Sequence, residues 1–97
     1  MHYRFTRQGR KVLKYVVQLE CQTRSGWKEV IRYDNWEWHS GCHRHVFRLN
    51  GERRCDPVDI LYDETVGYAD ALVRAQKDIN EYWELYCERF KNGGWPA

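Results

Sequence analysis

No stretch of this sequence approaches the roughly 20 consecutive apolar residues that a membrane-spanning helix needs. Its first residues show no charged segment followed by an apolar one, as a secretory leader would. The expectation is a soluble, cytoplasmic protein. The four cysteines, Cys21, Cys42, Cys55 and Cys87, form no Cys-x-x-Cys pair, so a disulfide framework is not expected and the thiols are read as reduced. There is no phosphate loop, no Gly-rich dinucleotide fingerprint and no nucleophile elbow around a serine, which argues against nucleotide hydrolysis, redox cofactors and the α/β-hydrolase mechanism. Internal repeats, low-complexity segments and linkers are also missing. A chain of 97 residues is one domain's worth, 1–97, able to bury a modest core.

What is present is charge of an uneven kind. Eleven of the sixteen cations are Arg, the residue suited to planar, bidentate recognition of phosphate or carboxylate. Residues 1–55 hold twelve Arg or Lys against five Asp or Glu, and residues 56–97 hold four against nine. A basic amino-terminal half and an acidic carboxy-terminal half suit a domain with one face for an anion and another for a different partner. Five Trp and seven Tyr are more rings than a small core needs, and aromatics are enriched at interfaces.

Period-two alternation predicts strands. Leu13, Tyr15, Val17, Leu19 and Cys21 share one face of residues 11–22, a turn follows at Thr23-Arg24-Ser25-Gly26, and Trp27, Ile31 and Tyr33 then oppose Lys28, Arg32 and Asp34. After a loop over 35–41, His43, His45, Phe47 and Leu49 alternate with Arg44, Val46 and Arg48. Asn50-Gly51 predicts a hairpin with a return strand near 52–55 that Asp56-Pro57 ends. Tyr3 to Arg7 is a candidate edge strand. From about Thr65 to Lys91 the apolar spacing becomes three and four, the rhythm of an amphipathic helix, capped by Asp63 or Thr65 and stopped by Asn92-Gly93-Gly94. The fold class is therefore α+β: a small antiparallel sheet of four or five strands over about 3–55, packed by one long helix over about 65–91. At about 1.5 Å per residue the helix would outrun a five-residue strand and overhang the sheet. Its surplus rings, Tyr82, Trp83, Tyr86 and Phe90, suit a partner groove or a homodimer. Asp70, Asp78, Glu81, Glu84 and Glu88 read as its solvated face.

Chemistry concentrates in residues 32–48, which hold three of the four histidines and three arginines. Two histidines at a strand's two-residue repeat, His43 and His45, lie on one face about 7 Å apart. That suits phosphodiester cleavage, where a base takes the ribose 2′-OH proton and an acid protonates the leaving oxygen. His39 and Asp34 are supporting candidates, Asp34 either orienting a histidine or closing a turn. Arg32, Arg44 and Arg48 are candidates for phosphate, and Trp36 and Trp38 for base stacking or for closing the core. The bland alternative is that His43 and His45 are partly buried, hydrogen-bonded histidines of the apolar face. His39, Cys42, His43, His45 and Asp34 also carry zinc-ligating atoms, but Cys42 and His43 point apart and no second ligand pair of recognised spacing exists, so no metal or cofactor is expected.

The run Arg32-Tyr33-Asp34-Asn35 followed by His43-Arg44-His45 resembles the TumE family of small toxins from prokaryotic toxin–antitoxin modules. Related small prokaryotic proteins share a Val-Gln-Leu-Glu strand, here Val17-Gln18-Leu19-Glu20. The resemblance implies that Tyr33, Asp34, Asn35, Gly41, His43, Arg44 and His45 form a functional patch and that a helix-turn-helix antitoxin is the partner. Here Trp36, Trp38 and Cys42 stand where that pattern has smaller or charged residues. The leading expectation is a toxin that acts on RNA as a metal-independent ribonuclease. The alternative is a non-catalytic nucleic-acid- or protein-binding module that self-associates through its aromatic helix.

Overall fold

In a computed structural model, which describes residues 2–8, 11–35, 43–57 and 67–97, with side chains for 14–35, 44–56 and 70–97, the alternating segments pair as a meander. Strands β1 (His2–Gln8), β2 (Lys11–Thr23), β3 (Gly26–Asp34), β4 (His43–Phe47) and β5 (Arg53–Pro57) precede one helix, α1 (Gly67–Lys91). The sheet order is β1-β2-β3-β4-β5 with every neighbour antiparallel. The α+β expectation holds, strand by strand.

One face of the sheet makes the core. Tyr15, Val17, Leu19 and Cys21 of β2 are buried, as are Ile31 and Tyr33 opposite them on β3. They pack against the stripe Ala71, Leu72, Ala75, Ile79, Tyr86, Cys87 and Phe90 of α1, whose spacing of three and four keeps one helix side turned inward. Burial of a side chain such as Ile79, 1% exposed, contributes about 1.5–3 kcal/mol. The helix is no longer than the strand beneath it. Its 25 residues span about 37 Å at about 1.5 Å each, whereas the 13 residues of β2 span about 43 Å at about 3.3 Å each. The expected overhang assumed a five-residue strand, and β2 is more than twice that length.

A bulge changes the face of the first part of β3. Pairing runs Leu19↔Ile31 and then Glu20↔Glu29, so Val30 is the extra residue of β3. Such a step moves every side chain beyond it to the other face. Trp27 therefore lies opposite Gln22 and is 64% exposed, not on the side of Ile31 and Tyr33 as simple alternation placed it.

Turns follow their glycines. Gly51, at φ 93°, closes β4 to β5, where Arg48 N–H donates to the Glu52 carbonyl at 2.9 Å. Gly93, at φ 85°, ends α1: Gly94 N–H donates to the Arg89 carbonyl at 3.1 Å and Gly93 N–H to that of Phe90 at 3.0 Å, a Schellman closure. The tail then folds back onto β4 and β5. Arg48 donates to the Gly93 carbonyl, Arg54 to that of Ala97 at 2.7 Å and Arg89 to that of Pro96. The Arg48 and Arg54 guanidiniums lie 5.4 and 4.9 Å from the Trp95 ring.

The cysteines do not all stay reduced. Cys21 of β2 and Cys87 of α1 form a disulfide with their Cα atoms 5.8 Å apart, across 66 positions of sequence. Strand-on-helix packing brings them together, and no local spacing reveals such a pair. Among the described residues no helix is long and apolar enough to cross a membrane.

Candidate functional site

The register of β3 against β4 assembles the candidate residues. Arg32 lies opposite His45, and Asp34 opposite His43. Directly paired residues of an antiparallel ladder share a face. Because the Tyr33 hydroxyl reaches Asp78 of α1, Tyr33 marks the helix side, and its neighbours Arg32 and Asp34 fall with His45 on the other side. There Arg32 Nε donates to Asp34 Oδ2 at 2.9 Å. The same oxygen stands 3.5 Å from His45 Nε2. Arg32 also pairs with Glu29 at 3.4 Å.

Asp34 and His45 are 4% and 1% exposed. The carboxylate so placed bonds a guanidinium on one side and faces an imidazole on the other. Its second oxygen, Oδ1, is buried with no hydrogen-bond partner among the described residues. An acceptor left in that state costs about 1–3 kcal/mol, and it is the one unspent polar atom of the carboxylate. Asn35 Oδ1, next in sequence, accepts the Tyr15 backbone N–H at 2.9 Å and ties the end of β3 to β2.

The helix side carries a second polar network that the sequence pattern did not reveal. Arg54 donates twice to Asp56, at 2.8 and 3.0 Å, and Arg44 donates to the same carboxylate at 3.0 Å. Arg44 is the register partner of Tyr33 and its charge acts on the tyrosine hydroxyl. The Tyr33 hydroxyl donates to Asp78 Oδ2 at 2.5 Å, and that of Tyr86 to Asp78 Oδ1 at 2.6 Å. Six side chains thus link β5, β4, β3 and α1. Burial first, then the bond to Asp78, pushes the Tyr33 and Tyr86 hydroxyls well above the usual tyrosine range. Burial works against the Arg44 charge, yet Tyr33 and Asp56 more than offset this and raise its pKa. The Arg54 hydrogen bond holds the Asp56 carboxyl below the usual range against burial, with Arg44 adding to it. Asp78, read from the sequence as solvated, is half-buried and binds two tyrosines. The available signal was its place between Ala75 and Ile79, beside the apolar stripe.

The sheet therefore divides the candidates. Asp34, His45 and Arg32 come together, with His43 at the register position opposite Asp34. Arg44 faces the helix. Arg48 sits beyond β4, committed to the Gly93 carbonyl and to Glu52. Of the four helix rings read as a partner surface, Tyr86 and Phe90 are 7% and 2% exposed and belong to the core, a correction that follows from their place on the α1 stripe. Tyr82 and Trp83 flank that stripe and stay 43% and 48% exposed. Trp36, Trp38, His39, Gly41, Cys42 and the His43 side chain lie outside the described residues. Among the described residues no group of three His, Cys, Asp or Glu side chains is placed to hold a metal ion.

The chain belongs to the family described as "Domain of unknown function (DUF7718)", whose model matches residues 1–94. No curated protein and no solved structure matches it.

Proposed function

We propose that this DUF7718 member acts on RNA as a toxin-like ribonuclease built around Arg32, Asp34 and the two histidines of β4. The supporting observation is the Asp34 carboxylate, which holds Arg32 at 2.9 Å, stands 3.5 Å from His45 and keeps one buried oxygen without a hydrogen bond among the described residues. In the proposed reaction a base removes the ribose 2′-OH proton and the resulting oxyanion attacks phosphorus. The bond to the 5′-oxygen breaks, and an acid protonates that oxygen, leaving a 2′,3′-cyclic phosphate and a 5′-OH end. His43 and His39 take the roles that touch RNA. His45, at 1% exposure, is a positioning residue held by Asp34. Arg32, 29% exposed in its side chain, offers the cation for charge developing on phosphorus. Side chains suffice for this chemistry, so it proceeds in the presence of EDTA. In this reading its partner is a helix-turn-helix antitoxin, for which Tyr82 and Trp83 are available.

The burial of His45 and Asp34 favours a second reading, a non-catalytic nucleic-acid- or protein-binding module that self-associates through Tyr82 and Trp83. Induced expression separates the two. Growth arrest with fragmented total RNA in the wild type, and neither in His43→Ala, supports the ribonuclease. Intact RNA with normal growth in both, the protein being soluble and folded, supports the binding module.

A further inference from the structure

The end of the sheet remote from Asp34 carries a cleft of ≈ 660 Å³ lined by Arg24, Lys28 and Lys91 together with Gln22 and Leu49. It is built from the β2–β3 turn, the β4–β5 turn and the last residue of α1. Eight residues of β3 at about 3.3 Å each separate Gly26 from Asp34, roughly 26 Å. The cleft is therefore distinct from the histidine cluster.

Its cations differ from the arginines that the sheet and helix have already paired. Arg32, Arg44, Arg48, Arg54 and Arg74 each hold a carboxylate. Arg24, Lys28 and Lys91 hold none among the described residues, and no carboxylate lines the cleft. The bulge at Val30 makes this possible. It turns Lys28 to the side of Cys21, where it lines the cleft, and turns Trp27, 64% exposed, to the side of Gln22 on the other face of β3. The Thr23 hydroxyl, bonded to the Gly26 carbonyl at 2.8 Å and accepting from Ser25 N–H at 3.2 Å, fixes the turn that presents Arg24. A helix C-terminus ordinarily repels anions. Here the carbonyls of Glu88, Arg89 and Phe90 accept from Asn92, Gly94 and Gly93, so the end of α1 is closed beneath Lys91.

We infer that this cleft binds the phosphate backbone of a single-stranded nucleic acid, with Arg24, Lys28 and Lys91 on phosphates and Trp27 stacked on a base. A strand passing over the β2–β3 turn from the cations to the Trp27 face would use both, and cations with an exposed ring are the combination that single strands use. An acidic peptide would use the cations and leave the ring idle. The inference deepens the RNA reading by naming where the strand is held, and it rests on that reading for RNA as the natural ligand.

Binding of a labelled short oligothymidine, which lacks the 2′-OH and cannot be cleaved by the proposed chemistry, tests it on the full chain. Each phosphate contact contributes a slope of about −0.7 to log K against log salt, so three contacts give about −2. Their loss in Arg24→Gln/Lys28→Gln/Lys91→Gln weakens binding about 100-fold at about 0.1 M salt. Trp27→Ala weakens it about tenfold with the salt slope unchanged. The exposed control Arg53→Gln/Arg74→Gln/Lys77→Gln removes the same charge elsewhere and binds within about threefold of wild type, a sign that local contacts outweigh net charge. Equal loss in both triple variants, an unaffected Trp27→Ala, or poly-glutamate binding as tightly as the oligonucleotide overturns the inference. Cleavage by wild type with no cleft-dependent binding would sink this inference alone, and cleft-dependent binding without cleavage would sink the ribonuclease reading alone.

Discussion

Asp78 is the side chain whose removal should reach furthest through the fold. It accepts hydroxyls from Tyr33 at 2.5 Å and from Tyr86 at 2.6 Å, and both tyrosines are 7% exposed. In Asp78→Ala each hydroxyl loses its acceptor, and a buried donor left unsatisfied costs about 1–3 kcal/mol. Two such donors give about 2–6 kcal/mol, and because Asp78 is itself only half-buried, water entering the vacated volume places the loss at about 2–3 kcal/mol. That is a large part of the roughly 5–15 kcal/mol that holds a domain of this size together. Urea unfolding followed by tryptophan fluorescence would show the midpoint falling by about 1–2 M, given a slope of about 1–3 kcal/mol/M. In a double-mutant cycle, Asp78→Ala and Tyr86→Phe should be less than additive, because both remove the same bond. High pH adds an independent check. Both tyrosines have pKa values raised above the ordinary 10.0, so their contribution is complete below about pH 10 and is lost as pH climbs above it, when the unfolded chain releases its protons first. Tyr86→Phe should flatten that alkaline decline. Asp78→Ala unfolding within about 0.5 kcal/mol of wild type, with a fully additive cycle, would refute the reasoning.

Three further outcomes are expected. The Cys21–Cys87 bond closes a loop across 66 positions, for which chain entropy gives about 4 kcal/mol. Cys87→Ser or full reduction should destabilise by up to that amount, and alkylation of the denatured, unreduced protein should leave Cys21 and Cys87 unmodified. Asp56, whose carboxyl is held below the usual 3.8 by Arg54 and then Arg44, contributes stability above about pH 3.8 that is lost as pH falls below it. Asp56→Asn should therefore show a shallower acid decline than wild type in urea titrations at successive pH values. Ile79→Ala, at the centre of the α1 stripe, should cost about 2–5 kcal/mol by the same urea assay, with the helix retained by circular dichroism.

Much of the fold is written in side-chain periodicity. Tyr15, Val17, Leu19 and Cys21 alternate because one face of β2 meets α1, and Asn50-Gly51 marks its hairpin because Gly51 takes a positive φ. The shift of spacing after residue 65 reveals the helix to within two residues of its start. What periodicity cannot show is long-range coincidence. The Val30 bulge is a pairing between two strands, so the change of face at Trp27 and Lys28 is invisible along β3 alone. The Cys21–Cys87 bond and the Asp78 acceptor each depend on where α1 lands on the sheet. The run 32–48 grouped Asp34, His45 and Arg32 as candidates, and Asp34 stands 2.9 Å from Arg32 and 3.5 Å from His45. It also grouped Arg44 with them, and the two-residue repeat of β4 sends Arg44 to the opposite face.

Cleavage of RNA by the purified chain in EDTA, with product ends analysed, is the most direct measurement of whether the Asp34 and histidine cluster does chemistry. Fragments ending in 2′,3′-cyclic phosphate from wild type, none from His43→Ala at unchanged stability, and a slowed, pH-shifted reaction from His45→Ala are what the proposed roles predict. Intact RNA with folded wild-type protein, or equal cleavage by His43→Ala, would contradict them.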